Sequence, residues 1–206
     1  MPFNINNPIN QGNGPLCGAA CAVFVSHWLA NQDLNIPVDP NVLLGGTVAD
    51  EIRLAMDATR TCSCTDNLGS TPANIAAYLK RLHPHARIYA PTEMLSNWST
   101  RPWYPALRLG LQTSCNLNWS CGCACALPGG VLGVNYLTIS MISKSLACPL
   151  FSSAYYEGHF IVHTGVDRIM DPNGVILIGP NKDQYLSGGY FSRGWASVGL
   201  DLHIYR

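Results

Sequence analysis

Charge is the scarcest thing in this chain. Lys, Arg, Asp and Glu make up 12% of its 206 residues, twelve basic against twelve acidic, for a formal net charge of zero. That share is about half of what soluble domains carry. A neutral, charge-poor surface lacks the basic stripe that holds phosphate backbones or anionic lipid, so no nucleic-acid partner is expected. Long apolar runs are missing too. None approaches the ~20 residues of a membrane span. The opening stretch Met1-Pro2-Phe3-Asn4-Ile5-Asn6-Asn7-Pro8 lacks the basic start and apolar run of a signal peptide. A cytoplasmic location, or export by a non-classical route, is the corresponding expectation. Repeats, low-complexity tracts and linkers are also absent, and the length suits one domain, 1–206.

What is present is apolar residue, 48% of the chain, enough to bury a core. Cysteine is abundant as well, at positions 17, 21, 62, 64, 115, 121, 123, 125 and 148. An odd count fits one free thiol plus up to four pairs, but the same set can stay reduced or partly bind zinc. Six of them fall in two bursts, Cys62 with Cys64 and Cys115 with Cys121, Cys123 and Cys125. Cys-x-Cys is not the usual zinc spacing, and disulfides, packed thiols and a metal all stay open there. Asn97-Trp98-Ser99 and Asn118-Trp119-Ser120 match the glycosylation sequon, a pattern that arises often by chance.

Along the chain, helical patterns come first. Cys17 to about Asn31 carries Val23, Phe24, His27, Trp28 and Ala30 near helical spacing, predicting a helix with one large apolar face. Thr47 and Asp50 have capping-box spacing and open a second helix to about Arg60. Ser70-Thr71-Pro72, a hydroxyl cap followed by proline in the first turn, opens a third that Pro84 ends. Residues 91–113 suggest one or two short helices, and 115–130 a cysteine-rich loop. Strand patterns follow at Val131–Ser143, Phe160–Val166, Arg168–Met170, Val175–Ile178 and Gly199–Tyr205. Helices first and strands later predict an α+β fold with an antiparallel sheet.

Two segments carry chemistry. In the first, Gln11 precedes Cys17-Gly18 by six residues and Cys17 opens the first helix. Unpaired N–H groups at a helix N-terminus favour negative charge, and a thiol there gives up its proton more readily. Gly18 leaves room for a substrate to approach the backbone. The Gln11 side-chain amide, with the backbone N–H of Cys17, would form an oxyanion hole. In the second segment, Gly158-His159 leads into an apolar strand, and a tight turn near Asp167-Arg168 returns the chain to Asp171-Pro172-Asn173-Gly174. A histidine opening one strand and an acid closing its hairpin partner can meet, and an imidazole needs such an acceptor to fix its tautomer. Asp171 is the first candidate and Asn173 the second.

Gln-x5-Cys-Gly-x-Ala at a helix start, then Gly-His-(apolar)3 and Asp-Pro, resembles the papain-like cysteine peptidases, in particular the bacteriocin-processing, double-glycine type. The matching motifs run from residue 11 to about 205, including the final Phe191, Trp195 and Leu200–Ile204 stretch, while 85–150 departs from the family. So does the short interval from His159 to Asp171. The resemblance implies a papain-like α+β fold, its nucleophile at a helix start packed on a C-terminal antiparallel sheet. It implies the catalytic set Cys17, His159, Asp171 and Gln11, a protein or peptide substrate, and no cofactor.

The expected activity is therefore a cysteine protease working through a thioester, of the kind a secreted effector or toxin carries. An amidase, deamidase or transpeptidase would use the same triad. A non-catalytic, disulfide-stapled binding domain is the alternative outside enzymology. Gamma-glutamyl transferases that make thiol peptides share the fold, but their Gly-Gly-His-Phe-Ser surroundings are absent here. Cys21, His27 and His203 are expected to pack structurally, and His163 to pack or support His159. His83-Pro84-His85 is expected to neutralise a helix end at the surface.

Overall fold

Helix α1 (Cys17–Ala30) is buried on every side from Cys17 to Trp28. This differs from the single apolar face that its spacing suggests. Ala19, Ala20 and Ala22 fill the positions between the larger side chains, so neighbours close in all around. The computed structural model describes residues 2–31, 48–60, 69–90, 127–145 and 156–206. The expected helices in 91–113 lie outside these residues, as do Thr47, Asn97, Asn118, Cys62, Cys64, Cys115, Cys121, Cys123, Cys125 and Cys148.

Helix α2 (Val48–Thr59) and helix α3 (Pro72–Leu82) pack on α1. Thr71 caps α3 as its sequence predicts, with Oγ1 accepting from the Asn74 N–H at 3.1 Å and Pro72 in the first turn. Asn31 ends α1 in the left-handed conformation, φ 54°, its N–H returning to the His27 and Trp28 carbonyls.

The later part of the chain is an antiparallel sheet of β1 (Arg87–Tyr89), β2 (Tyr136–Ser145), β3 (Tyr156–Gly165), β4 (Arg168–Asp171), β5 (Val175–Ile178) and β6 (Trp195–Tyr205). Their spatial order is β1-β6-β2-β3-β4-β5. The architecture is α+β, with an N-terminal helical part and a C-terminal antiparallel sheet. Alternation along β3 puts Phe160 and Val162 into the core against the helices and leaves His159, Ile161 and His163 on the other side of the pleat.

Three strand starts move by four residues or more from their expected positions. β2 begins at Tyr136 rather than Val131, because 131–135 is a turn in which the Asn135 side chain accepts from the Val131 N–H at 2.9 Å. Gly133 serves that turn with φ 89°, and a Cβ there would strike the Thr164 carbonyl oxygen at 2.3 Å. β3 starts earlier than Phe160, at Tyr156. β6 starts at Trp195 rather than Gly199, where a register shift between Ser140 and Ile142 lets the long strand stay paired. Between β5 and β6 run a short helix (Pro180–Tyr185), a π-helical turn (Leu186–Tyr190) and a 3₁₀ turn (Phe191–Arg193), none of which the sequence pattern suggests. No helix among the described residues is long and apolar enough to cross a membrane.

Candidate active site

The start of α1, the start of β3 and the end of β4 converge on one point. Cys17 is the first residue of α1; Leu16 precedes it with no side-chain cap, and the first turn carries no acidic residue. The first helical hydrogen bond runs from the Ala20 N–H to the Leu16 carbonyl at 2.8 Å. The preceding N–H groups have no acceptor within the helix, so the positive end of its dipole falls at the sulfur. Cys17 is a free thiol, 6% exposed, with Sγ 3.9 Å from the Gly158 carbonyl oxygen where β3 begins.

The next residue is His159, also 6% exposed. Its Nε2–H donates to Asp171 Oδ1 at 3.1 Å, which leaves Nδ1 as the nitrogen for the Cys17 thiol. Burial is the largest single influence on this imidazole and disfavours its charge. The hydrogen bond to Asp171, the one to Cys17 and the charges of both outweigh it, and raise His159 from 6.5 to about 9.

Asp171 is fully buried, and its carboxylate accepts four hydrogen bonds. Oδ1 takes the His159 Nε2–H and the Asn173 N–H at 2.9 Å; Oδ2 takes the hydroxyls of Tyr185 at 3.0 Å and Tyr190 at 2.8 Å. Burial pushes this carboxyl up, but the bond and charge of His159, the Asn173 N–H and the Tyr190 hydroxyl hold it below its ordinary 3.8. Of the two candidate orienting groups, Asp171 is the one that meets the imidazole. Asn173 supports it instead, through its backbone and through a 3.2 Å bond from Nδ2 to the Tyr190 hydroxyl.

Gln11 arrives by backbone pairing. Its N–H donates to the Pro172 carbonyl at 2.7 Å, and Asn10 bridges to Asn173, so the N-terminal arm is tied to the turn that follows Asp171. Its side-chain Oε1 is buried without a hydrogen-bond partner among the described residues. No hydrogen bond joins the Gln11 side chain to Cys17 among the described residues.

Gly18 does something other than admit a substrate. A Cβ built on it would meet Ser70 Cβ at 2.5 Å and Phe160 Cδ2 at 3.1 Å, so the space beside its backbone is already filled by the segment that leads into α3 and by the sheet. The glycine is a packing requirement of α1.

Three aromatic residues complete the surroundings. Tyr190 stacks on the His159 ring, centroids 5.3 Å apart and planes 17° from parallel, and Trp195 stands edge-on to both. Of these, only Trp195 is among the motif residues that the sequence singles out. Tyr185 ends a six-residue helix and Tyr190 a π-helical turn, elements too short for periodicity to detect. Gly179-Pro180, Gly188-Gly189 and Gly194 are the local signs of a break.

Cys21, the other cysteine among the described residues, and four further histidines fall into structural places. Cys21, one turn along α1, is fully buried; burial first, then the Cys17 and Asp171 charges, push its thiol well above 9.0. His27 is buried with Glu51, Nε2 to Oε2 at 2.6 Å. His83 turns inward to the Ser26 hydroxyl at 2.8 Å rather than to solvent, which ties α3 to α1. His203 Nδ1 meets the Thr138 hydroxyl at 3.1 Å. His163 lies near Asp201 and His203; burial lowers it, with partial opposition from Asp201. No three metal-ligating side chains gather in a way that could hold an ion among the described residues. Comparison with known proteins brings no relative: no family model matches the chain, and neither does any curated protein or solved structure.

Proposed function

We propose that this chain is a papain-like cysteine hydrolase that cleaves peptide bonds in protein or peptide substrates. One observation carries the reading: a free thiol at an uncapped helix start meets an imidazole whose far nitrogen is held by a fully buried carboxylate. The pattern is that of an activated nucleophile, with base and orienting acid in series. An unpaired Cys17 also speaks against a domain stapled through that residue.

In the proposed reaction the Cys17 thiolate, its proton already held on His159 Nδ1, attacks the substrate carbonyl carbon. The oxyanion of the tetrahedral intermediate accepts hydrogen bonds from the Cys17 N–H and the Gln11 side-chain N–H. Collapse breaks the C–N bond, and the His159 proton leaves with the amine. The resulting thioester is hydrolysed by water, whose proton His159 takes and keeps as the Cys17 sulfur departs as thiolate. Asp171 keeps the imidazole in one tautomer and balances its charge. The sequence needs no cofactor.

The test is covalent labelling followed by peptide mapping. A thiol-reactive peptide electrophile is expected to modify Cys17 and leave Cys21 untouched, and Cys17→Ala is expected to abolish turnover of a diverse peptide library with the fold retained. Full turnover by the alanine variant would sink the assignment.

A further inference from the structure

The hydrogen bonds to Asp171 are more numerous than orienting one histidine requires. Two of the four come from Tyr185 and Tyr190, side chains with no other assigned role. We propose that Tyr185 and Tyr190 are positioning residues of this site: their hydroxyls hold Asp171 as a carboxylate aimed at His159, and the Tyr190 ring fixes the plane of the imidazole. The proposal rests on the reading of Cys17 and His159 as nucleophile and base.

The geometry works from the carboxylate outward. An ionised carboxylate offers about four lone-pair sites. His159 and Asn173 fill those on Oδ1, so the two phenols supply all the donors found on Oδ2. In a fully buried side chain those donors replace water, and without them the charge is better neutralised by a proton. The direction of the network is also set. Tyr190 accepts from Asn173 Nδ2–H at 3.2 Å, which leaves its own hydrogen for Asp171. Tyr190, stacked with its ring centroid 5.3 Å from that of His159, and Trp195, edge-on at 6.4 Å, touch each other at 5.4 Å and together pack against the imidazole.

The backbone explains how two tyrosines five residues apart reach one oxygen. In an α-helix that separation turns side chains by about 140° from each other. The π-helical turn at Leu186–Tyr190 has i→i+5 bonding and a wider spiral, which returns Tyr190 to the side that Tyr185 occupies. Their ring centroids lie 5.7 Å apart. The segment is moored to the β3–β4 turn by the Gly179 N–H on the Asp167 carbonyl at 2.7 Å and Lys182 Nζ on the Val166 carbonyl at 2.9 Å.

The titratable groups facing the pair are Cys17 and Cys21 from α1, and the two tyrosines themselves from the segment after β5. The full chain, labelled with ¹⁵N-histidine, is titrated by NMR as wild type, Tyr185→Phe, Tyr190→Phe and the double variant. Phenylalanine keeps each ring and removes only its hydroxyl. The His159 midpoint is expected to fall in each single variant and by at least about one pH unit, a tenfold loss of proton affinity, in the double. An unchanged midpoint in variants with native near-ultraviolet circular dichroism would overturn the proposal. Should the double variant not fold, the single variants carry the same comparison. This readout needs neither turnover nor an intact thiol. Failure of Cys17 labelling would therefore refute the hydrolase reading, and a static midpoint would refute the role of the tyrosines.

Discussion

Asp171→Asn tests the electrostatic core of the site without changing its shape. An asparagine keeps an acceptor oxygen for the His159 Nε2–H and the Asn173 N–H, but loses the charge and presents an amide to the Tyr185 and Tyr190 hydroxyls. The rise of His159 from 6.5 to about 9 corresponds to about 3 kcal/mol of preference for imidazolium, at about 1.4 kcal/mol per pH unit. Asp171 supplies that preference together with Cys17, so up to about 3 kcal/mol is at stake. Removing the carboxylate leaves burial, the largest influence on the ring, opposed only by Cys17. His159 is then expected to titrate several-fold to several-hundred-fold more weakly, toward its ordinary range. The folded wild type keeps this proton to higher pH than the unfolded chain does. Its contribution to stability is thus complete below about pH 6.5 and is lost as pH rises through about 9. Urea unfolding at intervals from pH 6 to 10 should show that decline in the wild type and a flatter profile in Asp171→Asn, with NMR of His159 run alongside. A variant whose His159 still titrates near 9 would refute the reasoning.

The remaining predictions concern packing. Gly18→Ala would press a methyl against Ser70 at 2.5 Å and is expected to cost about 1–3 kcal/mol by denaturant unfolding, while Gly188→Ala, whose Cβ meets nothing within 4 Å, should be near neutral. Glu51→Ala removes the carboxylate from a buried pair with His27 and is expected to destabilise by about 3–5 kcal/mol, visible as a lowered Tm. Little change there would mean that the pair does not tie α2 to α1.

Several parts of the site are legible in the sequence because their causes are local. Cys17 stands at the point where a polar, glycine-rich arm gives way to an apolar run, and helix initiation there follows from composition alone. Thr71-Pro72 starts α3 for a similar reason. The β3–β4 hairpin is readable from two apolar runs about a short turn, and its register then brings His159 within reach of Asp171. Gly18 misleads, because a glycine beside a cysteine looks the same whether its missing side chain admits a ligand or the close approach of a neighbouring segment. α1 misleads as well, because alanines leave open whether a helix face meets solvent or protein.

The sequence by itself determined the order of helices before strands, the start of α1 at Cys17, and the residue types able to perform acyl transfer. Each depends on neighbours within a few positions. Only tertiary structure decided between Asp171 and Asn173, since both lie in one turn and the choice rests on which side chain the sheet directs at His159. It also brought Tyr185 and Tyr190 onto the same carboxylate oxygen, by means of a π-helical turn that follows no repeat in the sequence. A buried charge must find its donors wherever the packed chain supplies them, and that requirement crosses elements that local pattern treats separately.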